Sequence, residues 1–130
     1  MRQLAGARSS FAFETTLASR SFAPWLRQLV TSGYSAHLVF LWLPSADFAV
    51  DRVAERVRTG GHNVPPETVR RRYAAGLRNV FQLYQPLVSG WVLYDSSGPV
   101  PRPVAEGLAS HPPTVYDRDV WAAAQEQARR

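Results

Sequence analysis

An unbroken apolar run limits the folds that this sequence can adopt. Residues 36–43 read AHLVFLWL, and only His37 interrupts a stretch of aliphatic and aromatic side chains. A run of this length between turn signals is typical of a strand in a parallel sheet that is buried on both faces. We therefore predict a strand that is buried on both faces of the sheet. We expect His37 to lie at the edge of the core rather than to act as a metal ligand.

Strand and helix patterns alternate on either side of this run. Further strands are predicted at residues 10–17 and 91–94, with a short edge strand at 104–108. Helices are predicted at residues 21–31, 45–58, 65 to about 84, and 117 to about 129, because their apolar residues recur at helical spacing. This order predicts an α/β fold with a parallel sheet.

The composition agrees with one globular domain. The chain has 130 residues, of which 45% are hydrophobic, and this is enough for a single core. It has no cysteine, which excludes disulfides and thiolate metal sites. No apolar run approaches the roughly 18–20 residues of a membrane span, and residues 1–10 lack the core of a signal peptide. We expect a cytoplasmic protein that does not bind membranes.

The basic residues are all arginines. Seven of the fifteen lie between Arg52 and Arg78, where the only acidic residues are Glu55 and Glu67. A Walker A loop needs a lysine on the β- and γ-phosphates, and this chain has no lysine. The arginines are either solvated helix surface or an anion site, because a guanidinium group can bind two phosphate oxygens at once.

Two segments carry residues suited to a phosphorylated or hydroxylated ligand. Glu14, Thr15 and Thr16 end the first predicted strand, where ligands of open α/β sheets bind; the other reading is a polar strand end. The loop 59–66 contains Gly60-Gly61 and joins two arginine-bearing helices. It is either a plain connection or a hinge whose closure brings arginines to a transferred phosphoryl group.

The segments SFAFETTLASRSF, LVFLWLPSADFAVDRVAERVRTGGHNVPPETVRRRY and WVLYDSS occur in this order, and together they resemble zeta-toxin-like kinases. The resemblance covers residues 10 to about 98. Members of this family are P-loop kinases that use ATP and Mg²⁺, and the toxins among them phosphorylate a UDP-amino sugar. The resemblance implies a P-loop kinase-like parallel sheet with flanking helices and an arginine-bearing lid.

The resemblance also implies site residues. Acceptor-binding positions match Glu14, Thr15, Thr16 and Ser45, although Ser45 is equally explained as a helix cap. The two lid arginines that contact ATP phosphates match Arg56 or Arg58 before the loop and Arg71 or Arg72 after it. The choice within each pair stays open at this point.

The chain departs from the family at its start. The first two strands, with the phosphate-binding loop and the aspartate that acts as base, do not precede Ser10. The resemblance therefore implies one partial domain over residues 1–130, with no catalytic or metal-binding residue of its own. In the family, the absent central strand lies between strands 10–17 and 36–43. Without it, we expect the isolated chain to aggregate or to form a loosely packed state. Residues 1–5 suggest the tail of an upstream helix, as in a truncated product.

Two functional hypotheses follow. The first is a fragment of an ATP-dependent small-molecule kinase, inactive as it stands, whose partners are a nucleotide, a small-molecule substrate and, in a toxin, an antitoxin protein. The second is a basic module that binds nucleic acid, suggested by a net charge of +5 and the arginine cluster. Against the second, no nucleic-acid motif is present, and the aromatic residues lie on apolar helix faces.

Overall fold

The computed structural model describes residues 11–13, 22–108 and 111–129. The helices are α1 (Phe22–Thr31), α2 (Ala46–Arg58), α3 (Pro66–Asn79) and α4 (Arg118–Arg129), and a π-helical turn (Val80–Tyr84) continues α3. The strands are β1 (Phe11–Phe13), β2 (Ala36–Trp42), β3 (Gly90–Asp95), β4 (Arg102–Leu108) and β5 (Thr114–Val115). The predicted α/β class and the predicted helices in the described ranges are confirmed.

The strands form one mixed sheet in the order β1-β2-β3-β4-β5. The pairs β1·β2 and β2·β3 are parallel, whereas β3·β4 and β4·β5 are antiparallel. The prediction of a parallel sheet is therefore wrong beyond β3. Only residues 96–101 connect β3 to β4, and a parallel crossover needs a dozen or more residues, so the chain has to turn back on itself.

The first two strands lie side by side. β1 pairs directly with β2, with Phe11 opposite Ala36 and Phe13 opposite Leu38. The expectation that these two strands lie apart, on either side of an absent central strand, is therefore wrong. Backbone groups of the two strands satisfy each other instead, so the strand-order argument for aggregation of the chain no longer holds.

Among the described residues, the helices bury one face of the sheet. Along β2, Ala36, Leu38 and Trp42 are buried on that face, while Val39 and Leu41 lie on the opposite face and are exposed. The prediction of a strand covered on both faces is wrong for this reason. His37 alternates with the buried residues and lies on the same uncovered face, so it is exposed rather than at the edge of the core.

The core on the covered face consists of two adjoining clusters. One joins α1 and the π-helical turn to β2 through side chains that include Leu26, Leu38 and Tyr84. The other joins α3 and α4 to β3 and β4, and includes Leu77 and Leu93. The partly buried rings of Phe40, Phe81 and Trp91 pack against both clusters. The helical stripes predicted for α1, α3 and α4 thus face the sheet. The buried stripe predicted for α2 is wrong except at Ala49, which is the only buried residue of that helix.

Candidate anion-binding site

A cleft of about 470 Å³ opens between the carboxyl-terminal half of β2 and the helices α2 and α3. This volume is within the usual range for small-molecule sites. Ligands of open α/β sheets bind beyond the carboxyl ends of parallel strands, and this cleft lies at that end of β2 and β3. Its polar side chains, apart from the Tyr73 hydroxyl, are Arg52, Arg56, Arg72 and Ser96.

Local sequence explains how α2 presents two of these arginines. Ser45 caps the helix, since its Oγ accepts a hydrogen bond from the backbone N–H of Phe48 at 3.0 Å. Arg52 and Arg56 are four residues apart, so they lie one turn above the other on one face. The helix ends where Gly60 adopts a φ of 99°, which confirms the predicted stop at Gly60-Gly61.

The third arginine belongs to α3, which begins with proline at its first turn as predicted. Arg70 forms an ion pair with Asp47 in the first turn of α2, and this contact joins the two helices at one end. Two residues further along α3, Arg72 reaches the cleft. Helix α2 packs chiefly against α3, so together they form one wall of the site.

The cleft arginines differ from the other arginines of these helices in their charge partners. Arg58 pairs with Glu55 at 3.3 Å, and Arg70 pairs with Asp47. Within the described ranges, no acidic side chain pairs with Arg52, Arg56 or Arg72, and none lines the cleft. Three uncompensated positive charges in one concave site attract an anion and can bind its oxygens through charge-assisted hydrogen bonds.

Arg52 is held by two weaker contacts. Its guanidinium carbon lies 5.1 Å from the centroid of the Phe48 ring, a cation–π contact. Its Nη1 lies 3.5 Å from Ser96 Oγ, which is the far limit of a hydrogen bond. These contacts orient the guanidinium without neutralising it, so its charge remains available to a ligand.

Asp95, at the end of β3, orders the loop that carries Ser96. Its side chain is 6% exposed and accepts hydrogen bonds from Ser97 N at 2.9 Å and from Arg102 Nη2 at 3.2 Å. Burial alone would raise the pKa of the Asp95 carboxyl, but the Ser97 hydrogen bonds and the Arg102 charge outweigh it and hold that pKa below its ordinary value. Asp95 is therefore a charged anchor that fixes Ser96 at the cleft, where Ser96 N also donates to Trp42 O at 2.9 Å.

A hydrogen-bond network fixes the carboxyl end of β2. The Tyr73 hydroxyl donates to Leu43 O at 2.8 Å, and Gln127 of α4 donates to Pro44 O at 2.8 Å. Gln127 Oε1 accepts from Trp42 Nε1 at 3.0 Å and lies 3.2 Å from the Tyr73 hydroxyl. Burial raises the pKa of Tyr73 to about 12, by more than the Gln127 contact lowers it, so the hydroxyl stays protonated at neutral pH.

The structure brings together only part of the site predicted from sequence. All four of the predicted lid arginines are exposed, but Arg56 and Arg72 line the cleft, whereas Arg58 and Arg71 do not. Ser45 acts as a helix cap and does not line the cleft either. Glu14, Thr15 and Thr16 lie outside the described residues, so their predicted contact with an acceptor remains a prediction.

Two polar residues of the cleft were missed in the sequence analysis. Arg52 has a detectable signal, since it precedes Arg56 by four residues and shares its helix face. Ser96 directly follows a strand end, which is where ligand-binding residues of such sheets occur, and it lies in the YDSS segment. Neither signal shows how the two side chains meet, because that contact depends on the packing of α2 against the end of β3.

The residues of the cleft fit the phosphates of a nucleotide, but they do not fit a metal site. Guanidinium groups match phosphate oxygens, whereas Mg²⁺ prefers carboxylates. The part of the chain that the structure describes contains no group of three His, Cys, Asp or Glu residues that could hold a metal ion. None of the described residues that line the cleft is a carboxylate or an imidazole, so these residues can bind and orient an anion but supply no base for proton transfer.

The fold is mixed α/β, and the cleft at the carboxyl end of β2 is lined by three arginines. Comparison of the chain with models of known protein families, with curated proteins and with solved structures finds no match. Across the described ranges, no helix is both long enough and apolar enough to cross a membrane.

Proposed function

We propose that this chain is the acceptor-binding and lid part of an ATP-dependent small-molecule kinase of the zeta-toxin type. The observation that carries the proposal is the placement of Arg52, Arg56 and Arg72, unpaired with acids, in one cleft at the carboxyl end of parallel strands. The ordered sequence segments that resemble these kinases support it as well. In the complete reaction, a hydroxyl group of the acceptor takes the γ-phosphoryl group of ATP.

The role of the cleft follows from the charge of that reaction. Negative charge spreads over the oxygens of the transferred phosphoryl group, and catalysis depends mostly on positioning and on electrostatic stabilisation. Arg56 and Arg72 stand on the two helices that flank Gly60, and in the proposal they bind these oxygens from both sides. Arg52 is not one of the two lid arginines that the resemblance implies. In the proposal it adds a third contact to the phosphate oxygens. Bound ATP would bring Mg²⁺, which neutralises phosphate charge.

This chain does not complete the reaction by itself. It has no lysine, so it lacks the Walker A side chain that contacts the β- and γ-phosphates of ATP. The proposal therefore assigns phosphate binding to these residues and assigns no catalytic residue to the chain. Acceptor binding is proposed for Glu14, Thr15 and Thr16 on the resemblance alone. Ser45 is a weaker candidate, because its hydroxyl already caps α2.

Calorimetric titration with ADP tests the assignment through two matched pairs of variants. Arg56→Ala and Arg72→Ala each remove a cleft charge, and we expect the Kd for ADP to rise roughly tenfold or more. Arg58→Ala and Arg71→Ala remove exposed charges from the same helices, and we expect changes within about twofold. Equal effects in all four variants, or no ADP binding by the unaltered chain at millimolar concentration, would contradict the proposal.

The same variants separate this proposal from nucleic-acid binding. A single-stranded oligonucleotide that binds through surface charge should lose affinity when any exposed arginine is removed, and that affinity should fall steeply with salt. We expect the oligonucleotide to bind weakly and to be displaced by ADP. If Arg71→Ala and Arg78→Ala weaken its binding as much as Arg72→Ala does, the arginines act as a basic surface and not as a phosphate site.

A further inference from the structure

One amide side chain outside the cleft connects three of the segments that form it. Gln127 belongs to α4, and none of the described residues of α4 lines the cleft. Its Oε1 accepts a hydrogen bond from Trp42 Nε1 of β2 at 3.0 Å, and its Nε2 donates to Pro44 O, between β2 and α2, at 2.8 Å. The same Oε1 lies 3.2 Å from the Tyr73 hydroxyl of α3. The donor and the acceptor of this amide are therefore both engaged, and they hold β2, α2 and α3 in one arrangement.

The position of α2 depends on its amino-terminal end. Ala49 is the only buried residue of this helix, which packs chiefly against α3. The anchored Pro44 carbonyl directly precedes Ser45, the cap of α2. Arg56 lies about 15 Å along the axis from the first residue of α2, so a tilt of about 10° at the anchored end moves it by about 3 Å. A shift of this size breaks a hydrogen bond to a phosphate oxygen.

Tyr73 extends the same anchoring to α3. It directly follows Arg72, and its hydroxyl donates to Leu43 O at 2.8 Å while it lies beside Gln127. Leu43 precedes Pro44, so α3 and the start of α2 are fastened to neighbouring carbonyl groups. All three cleft arginines stand on these helices. The distance between the arginines of α2 and the arginine of α3 is thus set where these side chains and carbonyl groups meet.

We infer that Gln127 is a positioning residue of the anion site. It does not line the cleft, but it fixes α2 relative to α3 so that the cleft arginines of both helices converge on one anion. This inference rests on the proposed function in one respect, namely that the anion is the phosphate group of a nucleotide. Side chains that are already in place lose less conformational entropy when they bind. Loss of the amide hydrogen bonds should therefore weaken phosphate binding although every arginine is still present.

Substitution of two glutamines of α4 tests this by titration with ADP. Gln127→Met keeps the length of the side chain but removes its hydrogen bonds, and we expect the Kd for ADP to rise roughly three- to tenfold. Gln125→Met makes the same exchange at a half-buried position, where the side chain forms no hydrogen bond with the residues that the structure describes. This control should change the Kd by less than about twofold. A thermal melt checks that each variant is folded at the temperature of the titration.

A rescue by pH distinguishes hydrogen bonding from packing. Gln127→Glu preserves the shape of the side chain, but the ionised carboxylate cannot donate to Pro44 O, whereas the protonated carboxyl has one donor and one acceptor, as the amide has. A carboxyl beside a carbonyl oxygen binds a proton more readily than one in water. We therefore expect the Kd of this variant, divided by that of the unaltered chain at the same pH, to fall towards one between about pH 8 and about pH 5. Gln125→Glu adds the same charge without these contacts, so its ratio should stay close to one.

The outcomes separate this inference from the proposed function. If ADP binding depends on Arg56 and Arg72, but Gln127→Met changes the Kd no more than Gln125→Met does, only the inference is wrong. It is also wrong if the ratio for Gln127→Glu does not change with pH, because the hydrogen bond to Pro44 O then has no part in binding. If the unaltered chain does not bind ADP at millimolar concentration, the proposed function fails and the inference fails with it.

Discussion

The two faces of the central strands contain similar residue types in different surroundings. On one face, Leu38, Trp42 and Leu93 lie under helices and are almost inaccessible to water. On the other, Val39 and Leu41 are equally apolar, yet about two-fifths of each remains exposed. Apolar character therefore does not by itself place a residue in the core. The covered face stabilises the fold, and the uncovered face is free to contribute to a ligand site.

The largest expected difference between the faces is in stability. Leu93→Ala removes a side chain that is 1% exposed, and we expect the free energy of unfolding to fall by about 3 kcal/mol through lost burial and the cavity left behind. Leu41→Ala removes the same atoms from the uncovered face and should lower it by less than about 1 kcal/mol. Urea denaturation of both variants checks this, and equal losses would mean that both faces are covered in solution.

Sequence reasoning recovered the elements of the covered face better than their arrangement. Helical spacing of residues such as Leu77 and Tyr84 depends on local periodicity, and both side chains are buried as predicted. The exposure of Val39 depends on where the helices pack, and an apolar run such as that of β2 carries no information on this. The direction of β4 was missed for a related reason, because the residues of this strand do not fix its orientation until the length of the loop that connects it to β3 is considered. The strand predicted at 104–108 was also expected at the sheet edge, whereas β4 pairs with both β3 and β5.

The next effect concerns the network at the boundary between the covered face and the cleft. Tyr73→Phe removes the hydrogen bond to Leu43 O while preserving the ring, and we expect a loss of about 1.5 kcal/mol at pH 7. The partly buried Leu43 carbonyl group, left without its partner, accounts for most of this loss. The measurement is again urea denaturation. Tyr34→Phe is the control, because the Tyr34 side chain is also partly buried but forms no hydrogen bond with the residues that the structure describes.

Tyr73 should also make the free energy of unfolding depend on pH in the alkaline range. Burial raises the folded-state pKa of Tyr73 to about 12, whereas its ordinary value is 10.0. As pH rises through 10, the unfolded chain loses this proton first, so the contribution of Tyr73 is complete below pH 10 and is lost between pH 10 and about 12. The difference in unfolding free energy between the unaltered chain and Tyr73→Phe should shrink over this range. A difference that stays constant would show that the hydroxyl is not buried in solution.

The candidate site was less predictable than the fold, and particular residues show why. The arginine cluster is visible in sequence, but seven arginines on two helices give no indication of which ones converge. Arg56 and Arg72 line the cleft, whereas Arg58 and Arg71 do not. Which arginines face the cleft depends on the rotation of each helix about its axis and on the Arg70–Asp47 ion pair between the two helices. Those are tertiary contacts, and local patterns do not encode them.

The smallest expected effect lies at the turn between the two helices of the cleft. Gly60 has a φ of 99°, a conformation that side chains with a Cβ atom rarely adopt, although no other atom lies within 4 Å of the position that a Cβ would occupy. Gly60→Ala should therefore cost about 1 kcal/mol through backbone strain alone. Gly98→Ala is the control, because that exposed glycine has equal space and its φ is outside the left-handed region.

Since Ala49 is the only buried residue of α2, we expect the strain to be relieved locally, by fraying at the end of that helix. Amide hydrogen exchange should accelerate in the last turn of α2 in Gly60→Ala and stay unchanged in β3. Uniform acceleration in both elements would show instead that the cleft helices and the covered face unfold as one unit, and the division between a stabilising face and a binding face would then fail.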